Sequence, residues 1–464
     1  MIIDTMLTAE ALLPKIELLW AASAGKMART AEEYDATQGS PVFTVEGKYA
    51  TRGWTEWTQG FEYGSAILQF DATEDASFLS AGRSAVVDKM APHVTHFGVH
   101  DHGFNNVSTY GNLLRLMTEG RIDADPWERN FYELALKCSG AVQARRWTAL
   151  AGDEGYIYSF NGPHSLFADT IRSLRALAVA HQLGHCLSGE NDVSASLFDR
   201  LVAHARTTAR YNVYFGEGRD VYDVRGRVAH ESIFNVNDGA YRCASTQQGY
   251  SAFSTWTRGL AWIMCGYAEL LQFLPVVDDG DFAAHGGRAA VEEMMLNAAR
   301  ASCDFYIENT PLDGIPYWDT GAPGLVHLGD YLNAPADPFN PHEPVDSSAA
   351  AIGAQGLLRL GSYLAGRGDA ASAERYRSAG LTVLEALLSD TYLDDSADHH
   401  GLILHSVYHR PNGWDHVPAG QTVPCGESSM WGDYHAREVA LYVQRLAKGE
   451  AELKFYLDVQ SRNG

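Results

Sequence analysis

Gln248-Gly-Tyr-Ser-Ala-Phe-Ser-Thr-Trp-Thr-Arg-Gly-Leu-Ala-Trp262 passes within fifteen residues from a polar, glycine-bearing loop into an apolar helix. From Trp256 onward the apolar residues Trp256, Leu260, Ile263, Tyr267 and Leu271 recur at i, i+4, i+7, i+11 and i+15. That is the stripe of a helix buried along one side. Arg258 and Trp262 are four apart and share one helix face. A guanidinium beside an indole is a receptor for a flat anionic ring: the indole supplies stacking area and the fork meets a carboxylate in two places. The competing reading is structural, with both tryptophans in the core and Arg258 running its stem over apolar surface.

The helical period recurs along the chain. Ala11, Ile16 and Leu19 open an amphipathic segment, and further helices are expected near 60–71, 76–91, 108–119, 127–149, 166–183, 193–211, 254–274, 287–307, 348–365, 370–389 and 430–447. Asp346-Ser347-Ser348 offers N-caps for an alanine-rich helix. Strand signals are few: 401–408 is the best, with 155–160 and 229–236 behind it. About twelve helices with short strands in the loops make an all-α protein. Such helices pair as antiparallel hairpins, either in a solenoid or in a closed double ring of six inner and six outer helices. A solenoid carries a repeating sequence period, and none is visible. The glycines (44 in all) and the aromatics gather in the connections, as at 53–60 and 313–319. Aromatic, glycine-rich loops at one end of a ring suit a carbohydrate pocket.

Composition narrows the partners. The 464 residues are 46% hydrophobic and 20% charged, ordinary for a globular protein. The net charge of −23 disfavours nucleic acid and anionic membranes, though not a small anionic substrate held by a few buried cations. The six cysteines form no Cys-x-x-Cys motif and read as reduced, mostly buried thiols. The N-terminus lacks the basic start and apolar run of a secretory leader, and no stretch approaches the ~20 apolar residues of a membrane helix. A cytoplasmic location is therefore expected, with a monomer or weak homo-oligomer. No linker or charge block marks a boundary, so 1–464 is expected to form one domain.

Several residues could carry chemistry. Asp101, in His100-Asp101-His102-Gly103-Phe104, stands where Gly103 gives a turn the freedom to present it; the alternative is an Asx-turn or helix cap. Asp169 lies among Leu166, Phe167, Ala168 and Ile171, where desolvation would raise its pKa and suit it to general acid work. Its alternatives are a cap or an ion pair with Arg172. Two aspartates on separate helix–loop units fit the paired-carboxylate plan of sugar-cleaving enzymes. His93, His96, His100 and His102 cluster, as do His399, His400, His405 and His409, but neither group has a His-Glu-x-x-His pattern, so no metal is expected. His230 precedes the 248–262 element and could place an imidazole in the same pocket; otherwise it is a satisfied surface histidine. Phosphate-loop and Gly-x-Ser-x-Gly motifs are absent, which removes motif support for nucleotide binding and serine hydrolysis.

These segments, in order, resemble glycoside hydrolase family 88, the unsaturated glucuronyl hydrolases. The resemblance is carried by Trp57-Thr-Gln-Gly-Phe61, His100-Asp-His-Gly-Phe104, Asp169-Thr170, Gln248-Gly-Tyr-Ser251 with Ser254 to Trp262, Pro316-Tyr-Trp-Asp319, Asp346-Ser-Ser-Ala-Ala-Ala-Ile352 and Trp431-Gly-Asp-Tyr434. It implies an (α/α)6 barrel forming a catalytic domain. It also implies release of a 4,5-unsaturated uronic acid from lyase-generated oligosaccharides by hydration of the C4=C5 vinyl ether, with no cofactor. By matched position Asp169 would be the acid and base and Asp101 would assist. Trp57 and Trp262 would flank the ring; His230, Gln248 and Arg258 would hold polar substituents or water; His100 would orient its neighbours.

The chain departs from the family pattern at three places. Arg172-Ser173 replaces a Met-Asn pair, Glu62-Tyr63 replaces Trp-Pro, and His102 stands where an aliphatic residue is usual. These changes are expected to alter the shell around the aspartates and with it the substrate. No lysine lies between 401 and 447, which leans toward unsulfated substrates. The nearest alternatives are the family 105 unsaturated rhamnogalacturonyl hydrolases and another (α/α)6 sugar enzyme such as an epimerase. A catalytically dead carbohydrate-binding barrel and a metal-dependent hydrolase using the histidines at 93–102 are more distant.

Overall fold

The computed structural model describes residues 1–52, 56–152 and 154–456; part of the aromatic loop expected at 53–60 lies outside them. Twelve helices alternate between an outer and an inner ring. The outer ones are α1 (Ala9–Glu33), α3 (Ala76–Lys89), α5 (Pro126–Arg145), α7 (Leu197–Tyr211), α9 (Arg288–Glu308) and α11 (Ala370–Leu387). The inner ones are α2 (Gln59–Thr73), α4 (a π-helical stretch Gly103–Gly111 continued by α-helical Asn112–Thr118), α6 (Thr170–Ser173 continued by Arg175–Gln182), α8 (Thr257–Phe273), α10 (Ser347–Gly366) and α12 (Met430–Ala447). Each inner helix packs on the next, and α12 returns to α2, so the ring closes. This is an (α/α)6 barrel, the closed arrangement rather than the solenoid.

Local chemistry sets the helix ends. Asp346 caps α10 by accepting from Ser348 N and Ala349 N, and Ser429 caps α12 through Gly432 N. In α1 the buried stripe runs through Leu12, Ile16, Leu19 and Trp20 instead of starting at Ala11, which is exposed. The stripe expected in α8 is present, but sixteen of its seventeen residues are buried, because an inner helix is covered on every side. By length and composition Thr257–Val276 could span a membrane, contrary to the sequence expectation; here it is 83% buried inside the barrel.

Most of the short strands lie in connections that enter inner helices, while Cys186–Ser188 and Ser194–Ser196 pair at the other end, between α6 and α7. Ser165–Phe167, Glu231–Phe234 and Tyr241–Ser245 form a three-stranded antiparallel sheet, and Gly155–Ile157 pairs with Trp147–Ala149. The strand expected at 401–408 does not form. Four of its backbone donors go to buried carboxylates, Leu402 N and Ile403 N to Asp433, Val407 N to Asp346 and Tyr408 N to Asp415, while Leu404 N and Ser406 N go to the carbonyls of Tyr392 and Glu427. His405 sits at φ +67°, in the left-handed region that no strand tolerates. Of the cysteines, Cys265, Cys303 and Cys425 are buried, Cys138 is half-buried, and Cys186 and Cys243 are exposed, fewer buried thiols than expected.

A charged cluster occupies the barrel axis. Arg172 meets Glu269 at 2.7 Å and Glu438 at 3.1 Å, while Arg175 and Arg359 approach the same carboxylates at 3.7–3.9 Å. Mutual pairing allows these charges to stay ionised in the interior. Arg172 is thus a core residue bound to neither aspartate of the cleft.

Candidate active site

The loops at the end where most of the strands lie surround a cleft of about 640 Å³, open mouth included. Trp57, His100, Asp101, Asp169, Gln248, Arg258 and Trp262 line it, bringing seven of the eight expected residues to one place. His230 stands immediately behind the wall, its ring 4.7 Å from that of Trp256 and 4.5 Å from that of Phe167.

The two aspartates come from neighbouring inner helices. Asp101 lies in the turn before α4, and Asp169 lies in the turn between the strand Ser165–Phe167 and α6. Ser173, one turn beyond Asp169, accepts from Gly103 N at 2.9 Å and donates to the His100 carbonyl at 2.7 Å; Gln143 donates to that carbonyl as well. Gly103 has an ordinary backbone conformation, so turn freedom is not why it is needed. A Cβ there would lie 2.3 Å from the Ser173 carbonyl oxygen, and only glycine permits that approach. The departure at Ser173 therefore fixes one aspartate segment against the other.

His100 links the carboxyls. Its Nε2 is 3.1 Å from Asp169 Oδ1 and 3.9 Å from Asp101 Oδ1. Burial by itself would raise Asp169, but the bonded His100, with His230 and Arg258 nearby, draws its pKa below the usual aspartate value. For Asp101 burial prevails, and its pKa is raised despite His100. Burial opposes the charge on His100, yet the two carboxylates outweigh it and raise the histidine's pKa. The sequence expectation of a raised Asp169 is thus reversed in the free protein: Asp169 is the stronger acid of the pair and Asp101 the weaker. Asp169 neither caps α6 with its side chain nor pairs with Arg172, which binds Glu269 and Glu438.

Arg258 lines the cleft, but its terminal nitrogens are engaged. One donates to Asp346 Oδ2 at 2.9 Å and to the Val407 carbonyl; the other donates to Gln248 Oε1 at 2.9 Å and the Tyr408 carbonyl at 2.8 Å. The guanidinium lies 4.6 Å from the ring centre of Trp256 and 5.0 Å from that of Trp431, so those indoles, and not Trp262, form its plate. Trp262 packs on Phe104 at 4.7 Å and on His435 at 5.0 Å. Trp57 stacks on Trp431 at 4.9 Å.

Two neutral donors result. Because Gln248 Oε1 accepts from Arg258, its amide nitrogen is turned away from the guanidinium. His230 accepts from Gln247 N at 3.1 Å and Gln248 N at 3.3 Å through Nδ1, and burial lowers its pKa to about 4. The ring is therefore neutral and carries its proton on Nε2, a buried atom with no hydrogen-bond partner among the described residues.

The departures at 62, 102 and 172 do not line the cleft among the described residues. His102 is buried, its Nδ1 against Ser139 and its Nε2 against the His96 carbonyl. Glu62 lies on α2, where burial raises its pKa to about 7 against the pull of Lys89. The expectation that these residues reshape the substrate shell is corrected accordingly. The histidines at 93–102 have separate partners, His93 bonding Gln59 and His100 bonding Asp169. Among the described residues no group of three or more His, Cys, Asp or Glu side chains could hold a metal ion.

Sequence reasoning missed Phe160, Trp256, Tyr408, His409 and Trp414 as cleft residues. The last three bracket Pro411-Asn412-Gly413, a turn signal between aromatics. The observation that aromatic, glycine-bearing connections gather at one end would have found them.

The chain is similar over most of its length to two groups of curated enzymes. It is 26% identical over 413 residues to an unsaturated glucuronyl hydrolase of Bacillus sp. (strain GL1), covering 87% of this chain and 90% of that one. It is 23% identical to an unsaturated chondroitin disaccharide hydrolase of Streptococcus pyogenes serotype M1, over 86% of this chain and 84% of the relative. The crystal structure of the unsaturated glucuronyl hydrolase from Bacillus sp. GL1 superposes with a TM-score of 0.69 at 23% identity, covering 95% and 99% of the two chains, and shows the same fold. No family model matches the chain.

Proposed function

We propose that this cleft releases a 4,5-unsaturated uronic acid from the non-reducing end of lyase-generated oligosaccharides by hydrating the C4=C5 double bond. The observation that carries the reading is the Asp101–His100–Asp169 constellation, one carboxyl raised and the other lowered, set between indoles in a cleft. Two carboxyls whose surroundings push their pKa values apart supply one acid and one base. The likeness to unsaturated glucuronyl and chondroitin disaccharide hydrolases supplies the substrate class.

The vinyl ether is protonated on carbon. A carboxyl gives its proton to C4, and positive charge develops over C5 and the ring oxygen. Water adds at C5 as a carboxylate takes its proton. The resulting hemiketal opens, and C1, now an open-chain hemiacetal, expels the partner sugar with its own oxygen. The flanking carboxylate stabilises the developing cation, and the indole plates hold the flattened ring. Gln248 offers a neutral N–H donor to the substrate's polar groups, Arg258 organises that wall, and His230 behind it holds the backbone of Gln247 and Gln248.

Two divisions of labour fit. In the first, matching the family resemblance, Asp169 both delivers and recovers the proton. Entry of the anionic substrate raises its pKa by adding negative charge and excluding water. In the second, Asp101 protonates C4 and Asp169 takes the water's proton; the opposite displacement of the two carboxyl pKa values in the free protein favours this one.

The test is a panel of unsaturated disaccharides from hyaluronan, chondroitin, heparin, alginate, ulvan, gellan and pectin, followed by the ultraviolet absorbance of the conjugated uronate. Loss of absorbance with the unmutated protein, and none with Asp169→Asn, is the expected result. Preference for the pectin-derived substrate would point to the rhamnogalacturonyl type instead, and action on saturated sugars alone would reject the reading.

A further inference from the structure

We infer that Asp346 is a positioning residue of this cleft: one buried carboxylate fixes Arg258, and through it Gln248 and the wall formed by Val407, Tyr408 and His409. The inference rests on the proposed reaction for its kinetic readout. Asp346 is fully buried. Its Oδ2 accepts from Arg258 at 2.9 Å, and its Oδ1 accepts from Ser348 N at 3.1 Å, Ser348 Oγ at 2.5 Å, and Ala349 N and Val407 N at 3.4 Å. Its own N–H donates to the Pro316 carbonyl, and Ser347 N donates to that of His405. Three segments distant in sequence therefore meet at one side chain: the start of α8, the start of α10 and the 405–409 segment.

A simple cap uses one face of a carboxylate. Here the second oxygen faces a guanidinium whose other bonds run to Gln248 and to the carbonyls of Val407 and Tyr408. Asp415 holds the far side of the same segment by accepting from Tyr408 N and His409 N. The 405–409 backbone forms no strand among the described residues, is tied by Ser406 N to the Glu427 carbonyl, and includes His405 at φ +67°. Buried carboxylates on both sides over-determine this conformation. Without the charge on Asp346, Arg258 has no carboxylate opposite it and is free to turn toward Asp169 or the cleft.

Asp346→Asn keeps an acceptor for the cap and removes the charge that holds Arg258. The experiment compares it with Arg258→Gln, the double variant, and Asp369→Ala, which removes the remote N-cap of α11. Expected are a folded protein, a fall of ten-fold or more in kcat/KM with a raised KM, and losses in the two single variants that do not multiply in the double. Asp369→Ala should lower Tm with unchanged kinetics. A lowered Tm with unchanged kcat and KM in Asp346→Asn, or losses that multiply, would overturn the inference. A crystal structure of Asp346→Asn provides a readout independent of turnover. A broken Arg258–Gln248 bond with a displaced Tyr408 supports the inference even if the substrate class is wrong, and an unmoved wall contradicts it.

Discussion

His100 Nε2 lies 3.1 Å from Asp169 Oδ1, with Asp101 Oδ1 at 3.9 Å on the same nitrogen. That arrangement orders the proton affinities of two carboxyls on adjacent inner helices, and it yields separate expectations for each.

Asp169→Asn should abolish turnover, a loss of at least ~10²–10⁴-fold, the usual contribution of a positioned proton donor or acceptor. Asp101→Asn separates the two divisions of labour. A loss as large as that of Asp169→Asn assigns the C4 proton to Asp101; a modest loss leaves the whole cycle on Asp169. Circular dichroism of both variants checks that folding is intact.

The pH profile follows from the same pair. Activity in the second division needs Asp169 ionised and Asp101 protonated. Asp169 ionises below the ordinary aspartate value of about 3.9, and Asp101 gives up its proton above it. A bell-shaped kcat/KM profile is expected for the unmutated protein, with its alkaline limb set by loss of the Asp101 proton. A profile with no alkaline limb would contradict this assignment.

Stability should fall in mild acid. Burial lowers His102, His204 and His435 to about 3 in the folded protein. Above the unfolded value of about 6.5 these histidines are neutral in both states, and their full contribution is present. As pH drops below that, the unfolded chain takes up protons the folded one refuses, costing about 1.4 kcal/mol per pH unit for each histidine. Tm should therefore decline steadily from pH ~7 to pH ~5. A Tm flat across that range would contradict burial of neutral imidazoles.

Unsulfated disaccharides should be preferred. Arg258 is the one lysine or arginine among the described residues lining the cleft, and its terminal nitrogens are already engaged by Asp346, Gln248 and two carbonyls. A sulfate on the partner sugar would be desolvated without a matching cation, in a protein of net charge −23. KM for sulfated disaccharides should exceed that of the unsulfated ones by roughly ten-fold or more, since a lost charge-assisted bond is worth about 1.5–3 kcal/mol. A lower KM for the sulfated forms would contradict this.

The helices were legible because an inner helix such as α8 keeps its apolar stripe whatever surrounds it. The 401–408 segment was not: its apolar run Leu402-Ile403-Leu404 and the β-formers Val407-Tyr408 suit a strand, but four of its donors bind Asp346, Asp415 and Asp433, partners that only the closed ring brings near. Seven of the eight proposed site residues line one cleft because each lies in a connection or in the first two turns of an inner helix on the same rim. The charge state of Asp169 was illegible for a related reason. Its neighbours Leu166, Phe167, Ala168 and Ile171 signal desolvation correctly, while His100, sixty-nine residues away in sequence, decides the sign. Arg258 likewise reads as a free fork until Asp346 is seen opposite it.

The most direct test of the account is the reaction followed in deuterated water, recording uronate absorbance and partner-sugar release together and locating deuterium in the product by NMR. The account predicts that absorbance disappears no later than the partner sugar appears and that a deuteron is added at C4. Release of the partner sugar with the double bond and its absorbance intact would contradict hydration and place the protein among ordinary glycosidases.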